Sequence, residues 1–145
     1  MHNFYIDTSV IVPSYCEEQH TSRVKKFLKS LKFPPIISSL TLVELYSALS
    51  KKIRMKELKQ EEAKKIMRLF NTHLKNGIYK KISFKSQRLS QAKKWMSQFN
   101  DSLGLRTLDA LHLAIAAKNI FEIITLDKNL EKSAKFFNIN CNLTF

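Results

Sequence analysis

The chain has 145 residues, 44% of them hydrophobic and 10% aromatic, enough for one core and a single domain over residues 1–145. Its 25 Lys+Arg stand against 12 Asp+Glu, a net charge of +13, and it holds two glycines and two cysteines. These counts exclude glycine-rich phosphate loops, a disulfide framework and a C-x-x-C zinc ribbon. Cys16 and Cys141 are expected to stay reduced, as in cytosol. No uncharged apolar run reaches membrane-spanning length, and the start MHNFYIDTSVIV lacks the basic segment of a signal peptide.

In chain order, His2–Asp7 reads as a short apolar strand ending in a polar residue, and Ser9–Tyr15 as a helical turn interrupted or bent near Pro13. Thr21–Leu31 places Val24, Phe27, Leu28 and Leu31 on one helical stripe, and Pro34–Pro35 break it. Ile36–Ser38 reads as a strand and Thr41 to about Lys52 as a helix with a Thr start. Lys59–Lys75 is a second long helix, with Ala63, Ile66, Met67, Phe70 and Leu74 in register and Gly77 as its stop. Then come strand Ile78–Phe84, helix Ser86–Phe99, a break at Gly104, the nearly all-apolar helix Thr107–Lys118, strand Glu122–Leu126, helix Lys128–Phe137 and an edge strand over Cys141–Phe145. Strands separated by helices predict an α/β fold, with a mostly parallel sheet covered on both faces. In such sheets ligands bind beyond the carboxyl ends of the strands.

The positive charge is unevenly spread. Residues 51–94 hold fifteen bases and three acids, whereas residues 1–50 are net +1 and residues 95–145 are neutral. A basic span of this kind suits a polyanion, because Lys and Arg release counterions from a phosphate backbone. Compositional bias competes with that reading, since 20 of the 25 bases are Lys.

Acids are scarce, and four of them sit in apolar surroundings. Asp7 ends the first strand, Glu44 lies in TLVELYSAL, Asp109 in LRTLDALHLAIAA, and Asp127 ends IITLD. Each has a plainer reading. Asp7 and Asp127 would cap the helices that follow, Asp109 would favour its helix dipole, and Glu44 would face solvent. Taken together, at the sheet edge where ligands bind, they would repel one another. No Lys adjoins Asp7, Glu44 or Asp109 within these runs, so the sequence points to a divalent cation held by oxygen ligands, Mg²⁺ or Mn²⁺.

These same pieces, FYIDTSVIV, ISSLTLVELYSAL, LRTLDALHLAIAA and IITLDKNL, resemble the PIN-domain family, most closely its VapC-type toxins. The resemblance spans essentially the whole chain. It implies a three-layer α/β/α sandwich and a metal-dependent endoribonuclease, with Asp7, Glu44, Asp109 and Asp127 as catalytic metal-binding acids and the hydroxyls of Ser9 and Thr125 supporting them. It also implies RNA as substrate, a cognate antitoxin as partner, a homodimer and a cytoplasmic location. The Lys-rich middle exceeds the family's usual pattern. The expected chemistry is hydrolysis by a water whose pKa the metal lowers, with no histidine base required.

Other residues carry open alternatives. Arg106 is a phosphate clamp or a surface partner of Asp101. His112 reads as a satisfied core or rim histidine ahead of a site-supporting one. His2, His20 and His73 lack ligand spacing. Trp95, Phe99 and Tyr46 read as core or interface ahead of base-stacking platforms. A haloacid-dehalogenase-type phosphatase needs a second Asp two residues after the first, where this chain has Ser9. A receiver domain needs paired acids at the first strand end. The remaining alternatives are an RNA-processing nuclease outside a toxin pair, and a nucleic-acid-binding or partner-binding protein that keeps the fold without turnover.

Overall fold

The structure is a computed structural model and describes residues 3–142. Five short strands are β1 (Phe4–Ile6), β2 (Ile36–Ser38), β3 (Lys80–Ile82), β4 (Glu122–Ile124) and β5 (Cys141–Asn142). They form a sheet in the order β3-β2-β1-β4-β5, and every pairing is parallel. The crossovers are helical. α1 (Thr8–Tyr15) and α2 (Thr21–Ser30) follow β1, α3 (Ser39–Arg54) and α4 (Gln60–Lys75) follow β2, α5 (Gln87–Met96) and α6 (Thr107–Asn119) follow β3, and α7 (Lys128–Phe136) follows β4.

Strand register explains the three layers. Tyr5 pairs with Ile36 and with Ile123, and all three face α6 and α7, packing against Leu113, Ile115, Ala116, Leu130 and Ala134. The next residue of each strand points the other way, because strand side chains alternate. Ile6, Ile37 and Ile124 therefore pack against Val10, Ile11, Val24, Leu45, Leu49, Met67 and Phe70 of α1–α4. Each fully buried Ile, Leu or Phe contributes about 1.5–3 kcal/mol by leaving water. The expected α/β/α sandwich is the observed fold.

Three local outcomes differ from the sequence reading. Helix α1 begins at Thr8 and runs through Pro13 without a break. Val10, Ile11 and Val12 are buried there, and their burial outweighs the roughly 3 kcal/mol that an interior proline costs. Helix α3 begins two residues before Thr41, with Ser38 at its cap position and the Thr41 hydroxyl reaching back to accept from Ser38 N–H at 3.3 Å. Strand β3 is confined to Lys80–Ile82, the residues that pair with β2. Gly77, at φ +73°, ends α4 as expected. His2 and the last three residues of the expected edge strand lie outside the described residues.

The chain steps outward from β1 to β2 and β3, then returns to the other side of β1 for β4 and β5. The carboxyl ends of β1 and β4 thus flank the point where the strand order reverses, the place where open α/β sheets hold ligands.

Candidate active site

Four elements bring their first residues to this crevice. Asp7, just after β1, stands at the cap position of α1 but makes no side-chain cap bond. Its Oδ1 instead accepts from Ser9 Oγ at 2.7 Å. Ser9 Oγ accepts the Leu126 N–H at 2.8 Å and lies 3.2 Å from Thr125 Oγ1, and Thr125 Oγ1 accepts the Asp127 N–H at 2.9 Å. These two hydroxyls stitch the ends of β1 and β4 together. Asp127 caps α7, its Oδ1 accepting the N–H groups of Asn129 and Leu130 at 2.8 and 3.3 Å. Glu44, in the second turn of α3, accepts from Thr8 Oγ1 at 2.9 Å and from His112 Nε2 at 2.6 Å, both on Oε2. Asp109, in the first turn of α6, accepts from Arg106 Nε at 2.7 Å and Nη2 at 3.2 Å. Arg106 Nη2 also reaches Asp127 Oδ2 at 2.5 Å.

All four acids line one cleft of about 310 Å³ with Arg106, Thr107, Leu108 and His112. Positive charge comes from Arg106 and His112 rather than from a Lys. Arg106 pairs with Asp109 and Asp127, not with Asp101. His112 is fully buried on the neighbouring turn from Asp109 and holds Glu44. Tyr5 Oη lies 2.9 Å from Ser38 Oγ and is hydrogen-bonded to His112 Nδ1 at 2.5 Å. The Glu44 carboxylate accepts at the other ring nitrogen, so His112 is held at both ends.

The electrostatics divide the acids into two pairs. Burial pushes Asp7 up to about 6, against the opposing hydrogen bond of Ser9 and charge of His112. Burial also raises Asp109, outweighing Arg106. Burial would raise Glu44 too, but the His112 bond and charge, with Thr8, carry it below the ordinary range. For Asp127, Arg106 and the α7 N–H groups outweigh burial and lower it. Burial disfavours charged His112, yet Glu44 and the other carboxylates hold it above its ordinary value.

Among the described residues, no three Asp, Glu, His or Cys side chains form an assembled metal centre. The donor chemistry nevertheless fits a hard divalent cation: four carboxylates, with Ser9, Thr125 and Thr8 behind them, offer only oxygen. Asp7 is buried and hydrogen-bonded to a neutral hydroxyl, with no cation in direct contact among the described residues. An added cation would relieve that carboxylate most.

The sequence reading gave no role to Thr8, Tyr5 or Ser38 and ranked His112 as a core or rim histidine ahead of a site-supporting one. The position of Thr8 inside D-T-S and the three-residue spacing from Asp109 to His112 were the available signals. Trp95 is half-buried and stacks on Phe137 with centroids 4.6 Å apart, whereas Phe99 and Tyr46 are exposed. His20 and His73 lie outside the acidic cleft, and His73 bonds Tyr15 at 2.6 Å. Both cysteines are free. No helix among the described residues is long and apolar enough to cross a membrane.

The basic span is built differently. Lys52 pairs with Glu18 and Glu57, and Lys64 with Glu61. The other bases of residues 51–94 make no ion pair among the described residues.

The PIN domain family profile matches residues 4–135. No curated protein matches the sequence. Among solved structures, the chain is similar to the sarcin–ricin-loop-cleaving toxin VapC20 of Mycobacterium tuberculosis, at 14% identity and a TM-score of 0.71, covering 90% of this chain and 95% of that one. It is similar to FitAcB of Neisseria gonorrhoeae, at 16% identity and a TM-score of 0.69, covering 95% of each. It is also similar to VapBC2 of Rickettsia felis bound to a fragment of its promoter DNA, at 15% identity and a TM-score of 0.68, covering 96% of each.

Proposed function

This chain belongs to the PIN-domain family, and from that premise we propose that it is a Mg²⁺- or Mn²⁺-dependent endoribonuclease, the toxin of a toxin–antitoxin pair. The observation that carries this reading is the cleft itself: four carboxylates with an all-oxygen donor set, at the reversal point of a parallel sheet. Asp7, Glu44, Asp109 and Asp127 would hold the cation. When bound, it would polarise the phosphoryl oxygen and acidify a water for attack on phosphorus.

The chain's own residues do the rest. Ser9 and Thr125 tie the Asp7 carboxylate to the backbone of Leu126 and Asp127. His112, anchored by Tyr5, orients Glu44. Arg106 supplies a guanidinium that matches a phosphate bidentately. The exposed bases of residues 51–94 attract the RNA backbone. The toxin role draws on the likeness to VapC20 and to the VapBC2 and FitAcB structures. It brings with it a small antitoxin partner, a homodimer and a cytoplasmic setting.

The test is cleavage of a mixed RNA substrate with Mn²⁺ or Mg²⁺, with EDTA, and with Asp109→Asn. Cleavage should require the metal and vanish in the variant, with the thermal melt of the metal-free proteins nearly unchanged. Cleavage that persists in EDTA or in Asp109→Asn would overturn the reading. Co-expression of a short open reading frame encoded beside this gene should suppress the activity.

A further inference from the structure

Two basic side chains meet the carboxylates of the acidic cleft, and they are held in opposite ways. His112 is fully buried and fixed at both ring nitrogens, by Tyr5 and Glu44. Arg106 sits at the cap position of α6 with its side chain 53% exposed, and its three hydrogen bonds all go to Asp109 and Asp127. It can swing into solvent without opening the core, whereas His112 cannot. Its donors Nε and Nη2 take both oxygens of Asp109 and the one oxygen of Asp127 that α7 capping leaves over. Those are the lone pairs a divalent cation would need, and one oxygen lone pair cannot serve a guanidinium and a metal together.

We propose that Arg106 is an exchangeable counter-cation: it ties Asp109 to Asp127 in the metal-free protein and leaves both when a divalent cation binds. Metal loading therefore places the released guanidinium at the mouth of the cleft, free to meet a phosphate. This rests on the metal-site reading above. It also implies that Arg106 lowers metal affinity, so that the site fills only when metal is abundant enough to displace it.

Calorimetric Mn²⁺ titration of wild type, Arg106→Gln, Arg106→Lys and Asp109→Asn tests this without any activity. Arg106→Gln should bind Mn²⁺ about tenfold more tightly, the equivalent of losing one competing charge-assisted bond. Arg106→Lys, which keeps the charge but loses the fork that bridges two carboxylates, should fall between them. Charge removal alone would leave Arg106→Lys at the wild-type affinity, and that result overturns the exchange. The second readout is the Arg106 Nε–Hε NMR resonance, assigned by its loss in Arg106→Gln. It should move to the position of a solvent-exposed arginine as Mg²⁺ saturates the site. A resonance that stays in place at saturation, or unchanged or weaker Mn²⁺ binding in Arg106→Gln, overturns the exchange and leaves the metal site standing. No Mn²⁺ binding in wild type, or full binding in Asp109→Asn, overturns both.

Discussion

The acidic cleft and the basic span of residues 51–94 carry opposite charges by opposite means. In the cleft, four carboxylates share a small volume, and each accepts at least one hydrogen bond from a named donor. In the basic span fifteen bases lie mostly exposed, and among the described residues only Lys52 and Lys64 are paired. The difference teaches what each region can lose. A buried carboxylate acts at hydrogen-bond range, so one substitution removes a specific interaction. An exposed lysine acts through a screened field, so its effect appears only in sums.

The largest effect expected is that of Asp7→Asn. Cleavage should fall by about a thousandfold, since a catalytic cation supplies several kcal/mol of charge stabilisation that its ligands must hold in place. Stability should move the other way. The pKa of Asp7 rises from 3.8 in the unfolded chain to about 6 in the folded one. The folded state therefore binds this proton more tightly, and stability falls as pH rises from about 4 to about 6 and stays lower above that. In EDTA at pH 7.5 or so, Asp7→Asn should gain up to about 3 kcal/mol over wild type, a gain that fades near pH 4. Urea melts across that range check it, and a variant less stable than wild type at neutral pH would contradict the stated cause.

Removing buried His112 should cost stability instead. His112→Ala leaves Glu44 with Thr8 alone and the Tyr5 hydroxyl with Ser38 alone, and is expected to destabilise by about 3 kcal/mol. His112→Gln, which keeps a hydrogen-bonding group, should recover part of this. If the two variants unfold at the same urea concentration, the Tyr5–His112–Glu44 chain is not what matters there.

The basic span should respond weakly to single changes. A combined Lys65→Gln, Lys75→Gln, Lys93→Gln and Lys94→Gln variant should bind single-stranded RNA about tenfold more weakly. Its log affinity should also depend less steeply on log salt, by about 0.7 for each phosphate no longer neutralised. Turnover at saturating RNA should not change. A salt slope identical to wild type would mean that this surface does not track the backbone, and the contrast between the two regions would lose its functional meaning.

The smallest effect lies outside both regions. Ile120 closes α6 in the left-handed conformation at φ +56° and is 89% exposed. Ile120→Gly should raise stability by about 1 kcal/mol with no effect on RNA binding or cleavage.

Much of the fold was legible because its signals are local. The apolar runs ending at Asp7 and Asp127 and the amphipathic stripe of Lys59–Lys75 mark strands and helices by periodicity alone. Pro13 misleads for the same reason: local propensity disfavours a helix there, and burial of Val10, Ile11 and Val12 overrides it. The acids were legible by type and context, but their partners were not. Thr8 meets Glu44 across 36 positions, His112 meets Glu44 across 68, Tyr5 meets His112 across 107, and Leu126 meets Ser9 across 117.

The sequence by itself determined the order of elements, the placement of four scarce acids beside apolar runs, and the confinement of nearly all excess charge to residues 51–94. Only the tertiary structure decided what meets those acids: Arg106 bridges two, His112 holds a third, and Asp7 rests on neighbouring hydroxyls. Periodicity acts between neighbours in the chain and survives any packing. A hydrogen bond forms only within about 3 Å, and strand register and helix docking set which distant groups come that close.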